Sequence, residues 1–165
     1  CPYNTFIRFK PMGTTFAEYC DTAAARKQIA ENVLEWTQML CLSLEQDFVK
    51  DSLRRADFFL ATDPEYREKR IASIKNGEGA YKFYIESGRK YHKIIMETDG
   101  GSCSVHAFVN MKTGELHKAA SFKSPVKEPY FDLRIIKERE FVFEKCDWAG
   151  GYLYKNAYYN EVKYG

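Results

Sequence analysis

Long hydrophobic runs are missing from this sequence: none approaches the roughly 20 apolar residues that a membrane-spanning helix needs. It also lacks the charged start, short apolar stretch and small-residue cleavage site of a signal peptide, so secretion by that route is not expected. Cysteine spacings typical of a disulfide framework are absent as well, since the five cysteines are odd in number, scattered and never spaced as C-x-x-C: Cys1, Cys20, Cys41, Cys103 and Cys146. These absences argue against a disulfide framework and favour a reducing, intracellular compartment.

Catalytic and metal-binding motifs are also lacking. The ten glycines form no phosphate-cradling loop between a strand and a helix, and no pair of ligands has a zinc-site spacing. We therefore predict no metal, no cofactor and no catalytic residues. An enzyme with an unrecognised site at Cys103, His106 and His117 is kept as an alternative, because Cys103 could approach His117 across a hairpin.

The plainer interpretation of the histidines is that His92, His106 and His117 are half-exposed strand residues. Cys103 and His106 are three residues apart, and such residues point to opposite faces of a strand unless a bulge intervenes. A shared metal ion is therefore not expected.

Charge of one sign is not in marked excess, since 25 Lys and Arg face 23 Asp and Glu, a net charge of +2. That value is too small to predict nucleic-acid or membrane binding by itself. Apolar residues make up 45% of the chain, with 12 Phe and 12 Tyr, which is enough to bury a core and excludes a disordered chain. Tyrosine has an apolar ring and a polar tip, so this abundance suits either a sheet face or a contact surface.

Residues 14–76 have a helical pattern. Apolar side chains recur at every third or fourth position, and capping signals mark where helices begin. About three helices are expected, and their predicted starts are Thr15, with Glu18 completing a capping box, Ser43, with Gln46, and Asp63–Pro64. The last helix should end at Asn76–Gly77.

Residues 80–122 alternate with the period of two that is typical of strands. Four strands are predicted near 81–85, 91–96, 104–109 and 116–122, with Gly114 supplying a positive φ in the last turn. Short turns require antiparallel neighbours. Outside this segment, 1–13 suggests an extended arm, 123–132 a loop, and 133–146 either a helix or a strand.

The prediction is one α+β domain over residues 1–165. A helical half at about 14–76 packs on an antiparallel β-meander of four or more strands at about 80–122, and a mixed C-terminal segment covers 123–165.

The positive charge is concentrated in the predicted sheet and its exit loop. Residues 80–127 hold eight Lys or Arg against four Asp or Glu, whereas 14–76 hold nine against eleven. Basic and aromatic side chains alternate there, as they do on surfaces that bind single-stranded nucleic acid, although a solvated basic face over core aromatics has the same composition. The candidate contact residues are Lys82, Tyr84, Lys90, Tyr91, Lys93, Lys118, Phe122 and Lys123.

Residues 90–125 contain the segments KYHKII, SVHAFV and KTGELHKAASFKSP. This block resembles a pattern common in small uncharacterised proteins of marine bacteriophages, especially those that infect cyanobacteria. The match covers about a quarter of the chain. It implies a viral origin and supplies no catalytic residues, and Phe122 stands where those proteins tend to have Trp.

The leading functional prediction is a non-enzymatic viral protein that acts by macromolecular contact, as a virion structural or accessory protein. A protein partner or self-assembly is favoured, with no membrane, and the host cytoplasm or the virion is the expected location. The first alternative is a nucleic-acid-binding module that uses the basic aromatic sheet face, and the second is the enzyme described above.

Overall fold

The computed structural model describes residues 15–59 and 61–154, so the predicted arm at 1–13 and the end of the tail lie outside it. The α+β class is confirmed, and the five strands form one antiparallel sheet in chain order. In order, the elements are α1 (Phe16–Phe59), α2 (Pro64–Lys75), β1 (Lys82–Ser87), β2 (Tyr91–Glu97), β3 (Cys103–Asn110), β4 (Glu115–Lys118), β5 (Phe131–Asp132), α3 (Ile136–Lys145) and a 3-10 turn (Gly151–Leu153).

Helix α1 begins where the capping box predicts. The Thr15 N–H donates to the Glu18 carboxylate at 2.9 Å, and the Glu18 N–H donates to the Thr15 hydroxyl at 3.1 Å. The predicted second start at Ser43 is wrong, because the Ser43 hydroxyl donates to the Met39 carbonyl one turn earlier, at 3.0 Å. With no Gly or Pro between residues 14 and 63, nothing interrupts the helix.

Helix α2 is bounded by the residues that the sequence indicates. The Asp63 carboxylate accepts from the Tyr66 N–H at 3.1 Å, and Pro64 is the first helical residue. Asn76 caps the other end, and Gly77 follows with a φ of +87°. The chain then enters β1.

The helices cover one face of the sheet, and the main core lies between them. Residues directly opposite one another on neighbouring strands share a face, so the register places Phe83, Ile94 and Val109 on the core side. They pack with Leu40 and Leu44 of α1, which are fully buried. One side of the sheet is therefore covered by helices, while the opposite side carries exposed residues such as Tyr84 together with buried ones such as Ile95 and Phe108.

Strand β1 is an edge strand, and helix α1 supplies a partner to it. The Phe83 N–H donates to the Glu45 carboxylate at 2.9 Å. A buried edge N–H without a partner would cost about 1–3 kcal/mol, so this bond fixes the helix against the sheet.

The segment after β4 departs from the prediction. The predicted fourth strand continues to Phe122, but β4 ends at Lys118, because the Ala120 N–H donates to the Ser124 carbonyl at 3.0 Å and the chain turns back. The returning chain forms β5 inside the predicted loop 123–132. The ambiguous segment 133–146 contains helix α3.

Candidate nucleic-acid interface

The face of the sheet turned away from the helices, here the outer face, carries basic and aromatic side chains together. The register places Lys93 between Glu86 on β1 and Phe108 on β3, and Phe108 in turn opposite His117 on β4. The Tyr91 ring meets the Phe108 ring edge-on, with 5.9 Å between centroids. A row of rings therefore runs across three strands, and two of them, Phe108 and His117, are buried.

A shallow groove of about 240 Å³ opens at one end of this face, around the β1–β2 turn. We call it the basic groove, and its lining residues are Glu86, Ser87, Gly88, Arg89, Lys90, Tyr91, Lys93, Phe108 and Lys123. Four of these side chains are cations and one is a carboxylate, which gives the groove a charge of +3. Among the described residues, none of the four cations makes an ion pair.

Aromatic rings hold two of the ammonium groups in place. The Lys93 Nζ lies 4.5 Å from the centroid of the Phe122 ring and 5.8 Å from that of Phe108. The Lys90 Nζ lies 5.4 Å from the centroid of Tyr91. Such contacts are worth about 0.5–1 kcal/mol at exposed sites, and they leave the rest of each ammonium group open to an anion.

The turn after β4 brings Lys123 into the groove and places Phe122 beside it, against Lys93. The Ser121 hydroxyl accepts from the N–H groups of Lys123 at 3.3 Å and Ser124 at 3.2 Å, which closes a tight turn. Phe122 stands at its tip with half of its surface exposed. The turn that shortens β4 is therefore the feature that completes the groove.

The structure brings together five of the eight candidate contact residues and not the other three. Lys82 and Tyr84 lie on the outer face but further along β1, and the Tyr84 hydroxyl contacts the Cys103 thiol at 3.7 Å, which raises the pKa of that phenol. Lys118 lies apart, with its Nζ 3.6 Å from the centroid of the Tyr154 ring. The five that converge are Lys90, Tyr91, Lys93, Phe122 and Lys123.

Arg89 and Phe108 line the groove although they are not among the candidate residues. Arg89 was recognisable as a cation in the predicted β1–β2 turn. Phe108 looks like an ordinary core residue in the sequence, and only the register, which sets it opposite Lys93, reveals its position.

The histidines are more buried than the sequence analysis expects. His92 is 4% and His117 5% exposed, and their rings form hydrogen bonds with the Ser87 hydroxyl at 2.8 Å and the Val126 carbonyl at 2.9 Å. Burial lowers the pKa of His92. The interpretation of these two as half-exposed strand residues is therefore wrong, and both contribute to packing.

His106 occupies the bulge in β3, where the pairing with β2 shifts register. Its ring is directed to the core side, and the Nε2 atom lies 2.7 Å from the Tyr152 hydroxyl. Burial lowers its pKa to about 4, against smaller opposing effects of the Asp147 charge and the Trp148 backbone. The imidazole is therefore neutral near pH 7.

The three residues of the enzyme hypothesis are not brought together. Cys103 contacts Tyr84 on the outer face, His106 contacts Tyr152 on the core face, and His117 faces Phe108 well along β3 from Cys103. Within residues 15–59 and 61–154, no three His, Cys, Asp or Glu side chains form a metal-binding group. This geometry gives the Cys103–His117 pair no support.

Within the described part of the chain, no helix has both the length and the hydrophobicity required to cross a membrane.

Comparison with known proteins gives one match. A family model matches residues 16–155, from the start of α1 to just beyond the 3-10 turn. No curated protein matches the chain, and no solved structure matches it either. Because the family model spans both the helices and the sheet, the chain belongs to the family of unknown function DUF7717.

Proposed function

We propose that the protein acts by macromolecular contact rather than by catalysis, and that the basic groove binds single-stranded nucleic acid. The observation that carries the proposal is the convergence in one groove of four cations, none of which makes an ion pair among the described residues, with the half-exposed ring of Phe122 beside the groove against Lys93. Phosphate groups would contact the cations, and a base would stack on the exposed ring of Phe122.

The small size of the groove and the absence of a helix at it favour a single strand over a duplex. The groove has a volume of about 240 Å³, and no described helix lies at it that could insert into the major groove of a duplex. Contacts to the backbone and stacking on a ring face do not depend on sequence, so the binding should show little sequence preference and strong salt dependence. The sequence resemblance predicts that the nucleic acid is one present during phage infection. This origin stays a prediction.

The test measures the fluorescence anisotropy of labelled single-stranded and duplex oligonucleotides at about 50 and 200 mM salt, a range over which phosphate contacts weaken strongly. We expect the single strand to bind more tightly and the affinity to fall with salt. Lys123→Glu should weaken binding and lower the salt slope by about 0.7 for each phosphate group that the variant no longer neutralises.

The matched control is Lys69→Glu, which makes the same charge change on the exposed surface of α2, on the helical side of the sheet. It should leave binding close to that of the parent protein. Absence of binding at both salt concentrations, or equal effects of the two substitutions, would contradict the proposal and direct the search to an acidic protein partner.

A further inference from the structure

A second cavity, of about 350 Å³, lies between α1, α2 and the start of β1. We call it the Arg70 cavity. It is at the opposite end of the sheet from the basic groove, because its wall includes Tyr81, just before β1, and Asp99 in the β2–β3 turn. Its volume is at the lower end of the range of about 300–1,000 Å³ that small-molecule sites occupy.

One wall of the Arg70 cavity is aromatic. The Phe48 and Tyr81 rings stack with 4.1 Å between centroids, and the Trp148 ring stands almost perpendicular to both, at 5.1 and 5.6 Å. Hydrogen bonds fix the indole in place, because the Trp148 Nε1–H donates to Asp51 at 3.1 Å and its backbone N–H donates to Asp47 at 3.0 Å. The wall is thus formed before any ligand arrives.

Two guanidinium groups line the same cavity. Arg55 is held by Asp51, with 3.1 Å between Nε and a carboxylate oxygen, and lies 5.7 Å from the centroid of the Trp148 ring. The exposed Arg70 guanidinium, by contrast, makes no hydrogen bond or ion pair with any residue that the structure describes. Its donors are therefore available to an anionic group in the cavity.

Two carboxylates, Glu78 and Asp99, also line the cavity. Glu78 accepts a hydrogen bond from the Ser73 hydroxyl, while Asp99 lies exposed in its turn. A simple anion would be repelled by them, so a suitable ligand must also offer N–H or O–H donors. The lining therefore matches a flat ring with polar edges joined to an anionic group.

We propose that the Arg70 cavity binds a nucleoside monophosphate. The phosphate would bind to Arg70, with Arg55 nearby, because a guanidinium presents parallel donors that match phosphate oxygens. The base would pack against the aromatic wall, and the ribose hydroxyls and the N–H groups of the base would face the carboxylates. This site is separate from the basic groove and does not depend on the function proposed for it.

The test uses the tryptophan fluorescence of the full chain. The chain has two tryptophans, and Trp36 lies elsewhere, beneath the Arg139 guanidinium. A Trp36→Phe background therefore makes Trp148 the only reporter. Adenosine monophosphate, adenosine and inorganic phosphate are each titrated to about 10 mM, which covers weak binding with a Kd of about 1 mM.

We expect the monophosphate to change the Trp148 emission with a lower Kd than adenosine or phosphate alone. Arg70→Ala should raise that Kd at least about tenfold, the equivalent of one charge-assisted hydrogen bond. Lys69→Ala, which removes a neighbouring exposed cation of α2, should leave it unchanged. Circular dichroism of each variant checks that the fold is kept.

Three results would overturn the proposal: no response of Trp148 to any of the three compounds, equal binding by the Arg70→Ala variant, or phosphate binding as tightly as the nucleotide. Oligonucleotide binding by Arg70→Ala should equal that of the parent, and this keeps the two sites distinguishable.

Discussion

Protonation of His106 should destabilise the folded protein in mildly acidic solution. Its imidazole has an ordinary pKa of 6.5 in the unfolded chain and about 4 in the folded protein, where burial disfavours the charged ring. Between these values the unfolded chain binds a proton that the folded protein does not bind. Stability is therefore complete above about pH 6.5 and decreases as the pH falls towards 4.

The size of the effect follows from the shift in pKa. A difference of roughly 2.5 units at about 1.4 kcal/mol per unit gives about 3 kcal/mol. The ring is half-buried and borders a cavity that Lys118 also lines, so this figure is an upper bound. It is still a large part of the roughly 5–15 kcal/mol by which domains are stable.

The assay is urea unfolding at about pH 7.5 and about pH 4.5 of the parent, His106→Gln and Tyr152→Phe proteins. Glutamine keeps a hydrogen-bonding group but does not titrate, so the His106→Gln variant should lose less stability on acidification than the parent, by up to about 3 kcal/mol. Tyr152→Phe should lower the free energy of unfolding by about 1 kcal/mol at both pH values, because it removes the hydrogen bond to His106. It should keep the pH dependence, because burial and not the tyrosine hydroxyl lowers the pKa of His106. Equal acid sensitivity of the parent and the His106→Gln protein would refute the reasoning.

Two further predictions concern the fold. Glu45→Ala should lower the free energy of unfolding by about 1–3 kcal/mol, because it leaves the buried Phe83 N–H without its acceptor. Glu45→Gln should lower it less, and chemical denaturation measures both variants. Gly114→Ala should cost more than about 1 kcal/mol, because φ is +73° there and the new Cβ would lie 3.3 Å from Val33. The control Gly100→Ala has no atom within 4 Å of the new Cβ, and an equal loss of stability in both glycine variants would contradict the packing argument.

Local patterns were enough to predict the beginning of α1, both ends of α2 and the first three strands. Each depends on contacts between residues close in the chain, such as the reciprocal bonds of Thr15 with Glu18 and the Asp63 cap. The antiparallel arrangement was predictable for the same reason, because a short turn can join two neighbouring strands only when they run antiparallel. The family relationship and the proposed functions do not follow from these patterns.

The same kind of local signal gave wrong element boundaries where a long-range or competing interaction was stronger. Ser43 has a capping side chain, but its hydroxyl bonds to the previous helical turn inside a continuous α1. Phe122 follows an alternating run, but the Ser121 turn ends β4 before it. Strand β5 has only two residues, and it forms because those residues pair with the edge of β4.

For the candidate site, the sequence by itself determined that the sheet half is basic and rich in aromatic residues. Only the tertiary structure decided which cations converge. The strand register places Lys93 opposite Phe108, and the turn after β4 places Lys123 in the groove. Lys118 lies elsewhere, against the Tyr154 ring. The Arg70 cavity was not visible in the sequence, because Arg70 and Trp148, which both line it, are far apart in the chain. Composition and local hydrogen bonding are properties of short segments, whereas a binding surface depends on contacts between segments that only the packed fold brings together.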